Sequence, residues 1–466
     1  MPTQDAAVTG LFDRAIRRIR KAWREMAAGV AKGEDDSVVA QMRACLAARG
    51  GEASARNRAA KLAQTYLSLN DPNRLEFLRI LSSFDSDADA VARAMELLRT
   101  ATDPNERATA QVALRRVLAP PRVRLLTQFT SIPDGMPFLV QLRAFLNAER
   151  KSDKLLAALE SDLRELLAGW FDIGFLELRR IDWSSPAALL EKLVGYEAVH
   201  EIRSWRDLKN RLDSDRRCYA FFHPSMPDEP LIFVEVALVK GLASSVQRLL
   251  DEEAPVLDPG EADTAIFYSI SNCQLGLAGI SFGNFLIKRV VDELSAEFRN
   301  LRHFATLSPV PGFRGWLDEQ LGTTHTDLLT AKESTDLRSA LSAHGEPPAG
   351  GAAALAGILA QRGWQRDVAL AKTAEPVLLR LCARYLLLEG RNERARDPVA
   401  HFHLSNGARV ERVSMLADTS DKGVAESATL MVNYLYDPSW IEAFHEDYTG
   451  EGKRNASQAV RKLAGM

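Results

Sequence analysis

The apolar residues of this chain change their spacing near Phe171, and this change constrains the fold more than any other feature of the sequence. Between Leu11 and Phe171 they recur at helical spacing, with Arg, Lys and Glu on the opposite face. After Phe171 they alternate or form short runs, as in the strand-like segment 218–222. The sequence therefore predicts an α+β chain: an all-helical domain over residues 1–165, followed by a mixed α/β domain over residues 166–466.

Individual helices can also be placed from the sequence. Two Asp-Pro pairs, which begin at Asp71 and Asp103, each put a carboxylate before a proline. This pattern predicts that each aspartate caps a helix whose first residue is the proline. The second domain is predicted to contain further helices near 186–196, 204–211 and 375–389 and a late strand near 408–417.

Charge and composition exclude several classes of protein. The 466 residues include 59 Lys and Arg against 62 Asp and Glu, a formal net charge of −3, which argues against a nucleic-acid or anionic-membrane partner. No apolar run approaches the roughly 18 residues of a spanning helix. The four cysteines form no CxxC pair, so neither a disulfide framework nor a zinc site is expected. Asp5, Asp13 and Glu25 argue against a mitochondrial transit peptide, and we expect a cytoplasmic protein.

The segment from Thr264 to Phe313 carries the strongest functional signal. A buried-strand pattern at 265–270 leads into a glycine-bearing loop, an amphipathic helix and a second strand at 301–307. Backbone N–H groups of such a loop can converge on a pyrophosphate at the start of the helix. The glycine spacing matches neither the dinucleotide nor the P-loop motif, and glycines also serve close packing and left-handed turns. From the residues alone, an anion site and a purely structural loop both stay open.

Two further elements carry reactive side chains. Ser308 follows the second strand and precedes a proline-rich turn, so it lies at the carboxyl end of a strand, where open α/β sheets bind ligands. A serine that merely opens the turn is the alternative. His401 and His403 precede an Asn-Gly pair. Each could be a hydrogen-bonded core histidine. Metal binding by the two is not expected, since no third ligand of suitable spacing is nearby.

Six pieces of the second half occur in an order that is specific to one family. They are His223 to Leu231 with Glu235 to Leu238, the strand 265–270, the loop and helix 274–290, Leu307 to Phe313, Leu381 to Leu386, and Phe402 to Ala408. Together, over about residues 165–440, they resemble the malonyl-CoA decarboxylase family. The N-terminal helices resemble this family in kind and length more than in motif.

The resemblance implies a fold and a set of site residues. It implies a helical domain that assembles the protein into homo-oligomers, tetramers in this family, and a catalytic domain of the acetyltransferase-like (GNAT) fold. Ser308 and His403 would be the catalytic pair and Tyr436 a further pocket residue, whereas His401 falls where the family tolerates other residues. The loop that would grip CoA contains Gln274, Gly276, Ala278, Gly279, Ile280, Ser281, Phe282, Gly283 and Asn284. Vertebrate members have a glutamate at the position of Ser281, which puts in doubt any mechanism that needs an acid there.

The implied activity is decarboxylation of malonyl-CoA to acetyl-CoA and CO2. Loss of CO2 leaves a thioester enolate, so donors aimed at the thioester oxygen would lower the barrier. His403 would supply the proton, since an imidazole ordinarily titrates near neutral pH, and Ser308 would hold the carboxylate or thioester oxygen and relay a proton. The thioester is itself the electron sink, so no metal, biotin or pyridoxal cofactor is implied.

Two other functions stay open. A CoA-dependent N-acyltransferase on the same fold would use the same loop but would need a groove for an amine. A non-catalytic CoA-binding regulator would need neither reactive side chain. The presence of both Ser308 and His403, each in its motif, argues against these alternatives.

Overall fold

The computed structural model describes most of the chain. The described residues are 23, 26, 37–47, 50–149, 153–280, 283–322, 328–345, 349–391 and 394–466, with the backbone alone for 283–285 and 391. Ser281 and Phe282 of the predicted CoA loop lie outside them.

The first part of the chain is helical, as predicted from its apolar spacing. The α-helices described up to Trp170 are α1 (Val38–Leu46), α2 (Glu52–Ser68), α3 (Asp71–Ser83), α4 (Ala88–Thr100), α5 (Pro104–Leu118), α6 (Pro121–Gln128), α7 (Gly135–Glu149) and α8 (Lys154–Trp170). Apolar side chains of α7, such as Leu139 and Val140, belong to the same buried core as Phe267 and Leu277 of the second part. The two parts of the chain therefore share a continuous core.

The two predicted helix caps have different outcomes. Asp103 caps α5 as predicted, because its carboxylate accepts from the N–H groups of Asn105 and Glu106. The prediction for Asp71 is wrong by one residue. Asn70 accepts from the N–H of Asn73 and caps α3, so Asp71 is already helical. An asparagine caps as well as an aspartate, and a proline is tolerated anywhere in the unpaired first turn.

The second part is built on a mixed sheet. Its strands are β1 (Glu177–Ile181), β2 (Arg216–Phe222), β3 (Ile232–Val239), β4 (Thr264–Asn272), β5 (His303–Thr306), β6 (Ser308–Pro309), β9 (Arg409–Ser414) and β10 (Met431–Tyr436), while β7 (Gly390–Arg391) and β8 (Arg394–Ala395) form a separate pair. The main sheet runs in the order β1-β2-β3-β4-β5-β10-β6, and β9 pairs with β10. Every pairing in it is antiparallel except that of β4 with β5.

The parallel pair opens at its carboxyl end. The β4–β5 register ends at Phe267 and Thr306, and the N–H of Leu307 still donates to the carbonyl of Phe267 at 2.9 Å. Beyond this point β4 continues on β3 as far as Asn272, whereas Ser308 pairs with Val432 of β10. The two strands therefore diverge where Ser308 lies.

Helices cover the sheet and extend the second part. They are α9 (Ala187–Tyr196), α10 (Trp205–Arg211), α11 (Val246–Leu249), α12 (Gly283–Glu297), α13 (Phe313–Gly322), α14 (Ala331–Ser342), α15 (Gly351–Ala360), α16 (Val368–Leu387), α17 (Pro398–Ser405), α18 (Asp421–Ser427), α19 (Ile441–Glu451) and α20 (Gln458–Ala464). Among the described residues, none of the helices is long and apolar enough to cross a bilayer. The predicted fold class, α-helices followed by a mixed α/β domain, is confirmed.

Candidate active site

Ser308 is fixed from both sides at the point where β4 and β5 diverge. The preceding Leu307 N–H is bonded to β4, and the N–H of Val310 donates to the buried hydroxyl of Ser427 at 3.1 Å. Ser308 itself is 7% exposed. Its hydroxyl therefore has a defined position at the carboxyl end of a parallel strand, as the sequence predicted.

His403 and Tyr436 continue from Ser308 as one hydrogen-bonded chain. Ser308 Oγ lies 2.9 Å from Nε2 of His403, and Nδ1 of the same ring lies 2.8 Å from the hydroxyl of Tyr436. His403 comes from α17 and Tyr436 from β10, so three separate elements meet here. The structure thus brings together the three side chains that the resemblance singled out.

Burial sets the protonation states of the side chains that form this row of hydrogen bonds. It lowers the pKa of His403 to about 3 and raises the pKa of Tyr436 well above that of an ordinary phenol. The ring of Tyr434 stacks on the imidazole with centroids 4.5 Å apart, and both imidazole nitrogens face hydroxyl groups rather than a carboxylate. At neutral pH the imidazole is therefore neutral, which differs from the expectation that it would titrate near neutral pH.

Asp397 joins the segments that carry Ser308 and His403, and it was not among the site residues predicted from the sequence. It is fully buried and caps α17, where Oδ1 accepts from the N–H groups of Val399 and Ala400, both at 3.0 Å. Oδ2 accepts from the N–H of Gly312, at 3.1 Å, in the turn that follows Ser308. Burial raises its pKa, against the effect of these N–H donors. One carboxylate thus holds the helix of the histidine against the turn of the serine.

A glycine explains why the turn after Ser308 can approach Tyr385 so closely. At Gly312 a Cβ atom would lie 2.3 Å from the hydroxyl of Tyr385, so no larger residue fits without a shift.

His401 lies on α17, like His403, but bonds through Nδ1 to the hydroxyl of Tyr448 at 2.8 Å. Residues two apart on a helix point about 200° apart, and only His403 contacts Ser308 among these two.

The predicted CoA loop lies between β4 and α12. Gln274 donates from Nε2 to the carbonyl of Pro230 at 3.0 Å, and a single turn of 3-10 helix follows at Leu275–Leu277. Gly276 is buried, Ala278 is exposed and Ile280 is half-buried against the main core. Gly283 and Asn284 begin α12, and nothing further is described for the side chain of Asn284.

Hydrogen bonds within this loop occupy some of the N–H groups that an anion could otherwise contact. Three of its N–H groups donate to carbonyls within the loop: those of Leu277, Ala278 and Ile280. Gly279 has a φ of 77° and is exposed, and no heavy atom of the described residues lies within 4 Å of the position a Cβ would take. Gly279 and the first turn of α12 therefore form the part of the loop that best fits the predicted phosphate contact.

Comparison with known proteins decides the family. The family model described as "Malonyl-CoA decarboxylase C-terminal domain" matches residues 174–465, and the one described as "Malonyl-CoA decarboxylase N-terminal domain" matches residues 84–171. The chain belongs to the malonyl-CoA decarboxylase family. The two family models meet just after the end of α8, which itself runs across the proposed domain boundary at 165/166.

Relatives and solved structures agree with this assignment. "Malonyl-CoA decarboxylase, mitochondrial" from Rattus norvegicus is 36% identical over 407 residues, which are 84% of this chain and 81% of the relative. The crystal structure of malonyl-CoA decarboxylase from Agrobacterium vitis superposes with a TM-score of 0.83 at 40% identity and covers 92% of this chain and 100% of its own. That from Rhodopseudomonas palustris gives a TM-score of 0.81 at 41% identity, with 92% and 99% covered. The resemblance stated from sequence motifs is thereby confirmed.

Proposed function

We propose that this protein decarboxylates malonyl-CoA to acetyl-CoA and CO2. The observation that carries the proposal is the Ser308–His403–Tyr436 chain of hydrogen bonds at the open end of the β4–β5 pair. Membership of the malonyl-CoA decarboxylase family supports the choice of substrate.

The protons in this chain suit a reaction that ends with protonation of a carbanion. Tyr436, one nitrogen of His403 and Ser308 together hold three protons, and two of them are shared in the two hydrogen bonds. If Tyr436 donates to Nδ1 and Nε2–H donates to Ser308 Oγ, the hydroxyl proton of Ser308 is directed outwards. Ser308 is then the immediate donor, and His403 acts behind it by passing on its own proton.

The reaction consumes one proton, which these groups deliver and solvent returns to them. The C–C bond of the malonyl group breaks, its electrons pass into the thioester enolate, and CO2 leaves. The enolate carbon then takes the proton of Ser308, Nε2–H of His403 passes its proton to Oγ, and the hydroxyl of Tyr436 passes its proton to Nδ1. One proton from solvent then restores the hydrogen-bonded chain to its starting state. Hydrogen bonds directed at the enolate oxygen stabilise the charge where it develops.

The CoA moiety would lie along the same edge of the sheet. The loop that contains Gly279 follows β4 and the turn of Ser308 follows β5, and the carboxyl ends of parallel strands meet at one edge. The first turn of α12 offers N–H groups and a dipole that favour a pyrophosphate. This arrangement would direct the thioester toward Ser308.

Incubation of the pure protein with malonyl-CoA alone tests the proposal. We expect acetyl-CoA and CO2 in equal amounts, and a loss of both with Ser308→Ala and His403→Ala. Acyl transfer only in the presence of an amine would instead favour an N-acyltransferase. Binding of CoA without any turnover would favour a regulator.

We also propose that the active protein is a homo-oligomer, a tetramer by the resemblance. Helices α4 and α5 pack on each other, and each has a single buried residue, Ala94 and Ala110 respectively. Met95, Leu97 and Val112 are 57%, 60% and 63% exposed on these helices. An exposed apolar surface of this kind fits a second copy of the chain. Light scattering should give a multiple of 51.5 kDa, and a monomer at micromolar concentration would contradict the proposal.

We also propose that the protein is cytoplasmic. The acidic residues near the N-terminus led to the expectation of a cytoplasmic protein, whereas relatives such as the one from Rattus norvegicus are named mitochondrial. Subcellular fractionation with a soluble matrix marker would distinguish the two compartments.

A further inference from the structure

A buried arginine of the helical part touches the backbone of the CoA loop. Arg143 lies on α7 and is 2% exposed. Its Nη1 donates to the carbonyl of Gly276 at 2.6 Å, across 133 residues of sequence. The first part of the chain therefore contacts the loop directly, and not only through the shared apolar core.

A carboxylate on the neighbouring helix holds this arginine in place. Glu160 of α8, also 2% exposed, accepts from Nε of Arg143 at 3.0 Å and lies 2.8 Å from its Nη2. Two edges of the guanidinium are thus used, one on Glu160 and one on Gly276. A lysine has no planar fork and could not bridge both partners in the same way.

The loop backbone also lies directly on α7. A Cβ at Gly276 would be 1.8 Å from the carbonyl oxygen of Val140, so the loop approaches the helix more closely than any other residue would allow. Leu277 is buried beside it, and the exposed Gly279 follows two residues later. The anchored part of the loop is therefore adjacent to the part that fits a phosphate.

We propose that Arg143, held by Glu160, is a positioning residue for CoA: it fixes the loop through Gly276 and so sets the affinity for the CoA moiety without taking part in the chemical step. This inference rests on the proposed role of the loop in binding CoA. It gives the helical part a function in the active site in addition to assembly. Because the contact is made to the loop after β4 and not to the segment of Ser308, binding and turnover should respond to it differently.

The test removes the bridge without leaving a lone buried charge. The double variant Arg143→Met/Glu160→Met replaces both charged side chains by apolar ones of similar size, a change that buried ion pairs often tolerate. Gly276 then loses its guanidinium partner. We expect the Kd for free CoA, measured by calorimetry, and the KM for malonyl-CoA to rise by about tenfold to a hundredfold, the loss of one hydrogen bond to a charged group. The kcat at saturation should stay within about twofold to threefold, since remote contacts that act on binding alone leave it unchanged.

The chain offers a matched control in a second buried arginine. Arg122 is 5% exposed, bonds from Nε to Asp162 of the same helix α8 at 2.5 Å, and donates to the carbonyl of Ser82 at 3.1 Å. It therefore resembles Arg143 in its burial and in joining a carboxylate of α8 to a backbone carbonyl, but it also pairs with Asp85 at 3.0 Å, and none of these bonds reaches the CoA loop. Arg122→Met/Asp162→Met should leave the Kd for CoA unchanged. If it raised the Kd as much as the first pair does, the effect would be one of general stability and the inference would be wrong.

Further variants separate this inference from the proposed function. If Gly279→Val leaves CoA binding unchanged, the loop is not the CoA site and the proposed role of the loop fails with the inference. If Gly279→Val weakens binding but the Arg143/Glu160 pair does not, only the inference is overturned. Should the double variant not fold, Arg143→Lys decides: a higher Kd with native kcat supports the inference, and a native Kd overturns it.

Discussion

Replacement of Asp397 by asparagine should slow turnover while the helix of His403 stays capped. Asparagine and aspartate are about equal as helix caps, so the bonds from Val399 and Ala400 can persist on Oδ1. The second oxygen accepts from the N–H of Gly312 at 3.1 Å in the native protein. In the variant an NH2 group takes its place, so that two donors face each other. The change therefore breaks the link between the segments of Ser308 and His403 and little else.

The size of the effect follows from that single contact. A hydrogen bond to a charged acceptor is worth about 1.5–3 kcal/mol, and here it is replaced by two opposed donors. We expect the free energy of unfolding to fall by about 2 kcal/mol. The turn after Ser308 would also move relative to α17, and because a displacement of about 1 Å can cost about 10²-fold in rate, kcat should fall by about 10- to 10²-fold. The KM for malonyl-CoA should change little, because the loop after β4 is not touched.

The assay is steady-state release of CO2 from malonyl-CoA, together with chemical denaturation of each variant. Asp103→Asn is the control, since Asp103 caps α5 through two N–H groups at the surface of the helical part. It loses the same charge at a helix start but does not join the segments of Ser308 and His403. A folded Asp397→Asn protein with native kcat, or an equal loss of kcat in Asp103→Asn, would refute the reasoning.

Three further predictions concern the same site. His403→Ala should lower kcat by about 10²- to 10⁴-fold, the range for a positioned acid, and change the affinity for malonyl-CoA by no more than a few-fold. Ser308→Ala should also lower kcat. The effects of the two substitutions on kcat should be strongly non-additive in the double variant, since both residues are proposed to act on one reacting centre. Gly279→Val should weaken CoA binding in calorimetry and also lower the melting temperature, because φ is 77°, a left-handed conformation that a β-branched residue rarely adopts. Since burial lowers the pKa of His403 to about 3, the unfolded chain binds its proton first as the pH falls. The free energy of unfolding should therefore decrease from a pH of about 6.5 downwards, and urea titrations of His403→Ala should show a smaller decrease.

Local patterns predicted the parts of this structure that depend on local rules. The change in spacing near Phe171 located the start of the sheet domain, and Asp103 was found because a cap depends only on its neighbours. Asp71 was placed one residue wrong because Asn70, another good cap, precedes it. The pairing of Ser308 with His403 came from the family resemblance and not from spacing, since 95 residues separate them.

What the sequence could not predict depends on tertiary contacts. The Asp-Pro pattern at Asp397 is the same as at Asp103 and could have been read as a cap. Its second bond, to Gly312, is 85 residues away and leaves no local signal. The same holds for Arg143 and Gly276, and for the low pKa of His403, which results from burial among residues of two other elements.

The neutral state of His403 has a consequence for the proposed chemistry. Malonyl-CoA enters with its charge on the carboxylate, and in the transition state this charge moves to the thioester oxygen. A buried imidazolium close to the carboxylate would stabilise the ground state along with the transition state, and such uniform binding does not raise kcat. A neutral hydroxyl backed by a neutral imidazole avoids this cost and still supplies a proton once CO2 has left. In the proposed mechanism, the burial that lowers the pKa of His403 would therefore favour turnover. A variant that places a carboxylate at position 436, Tyr436→Glu, should raise that pKa and lower kcat even if the protein folds.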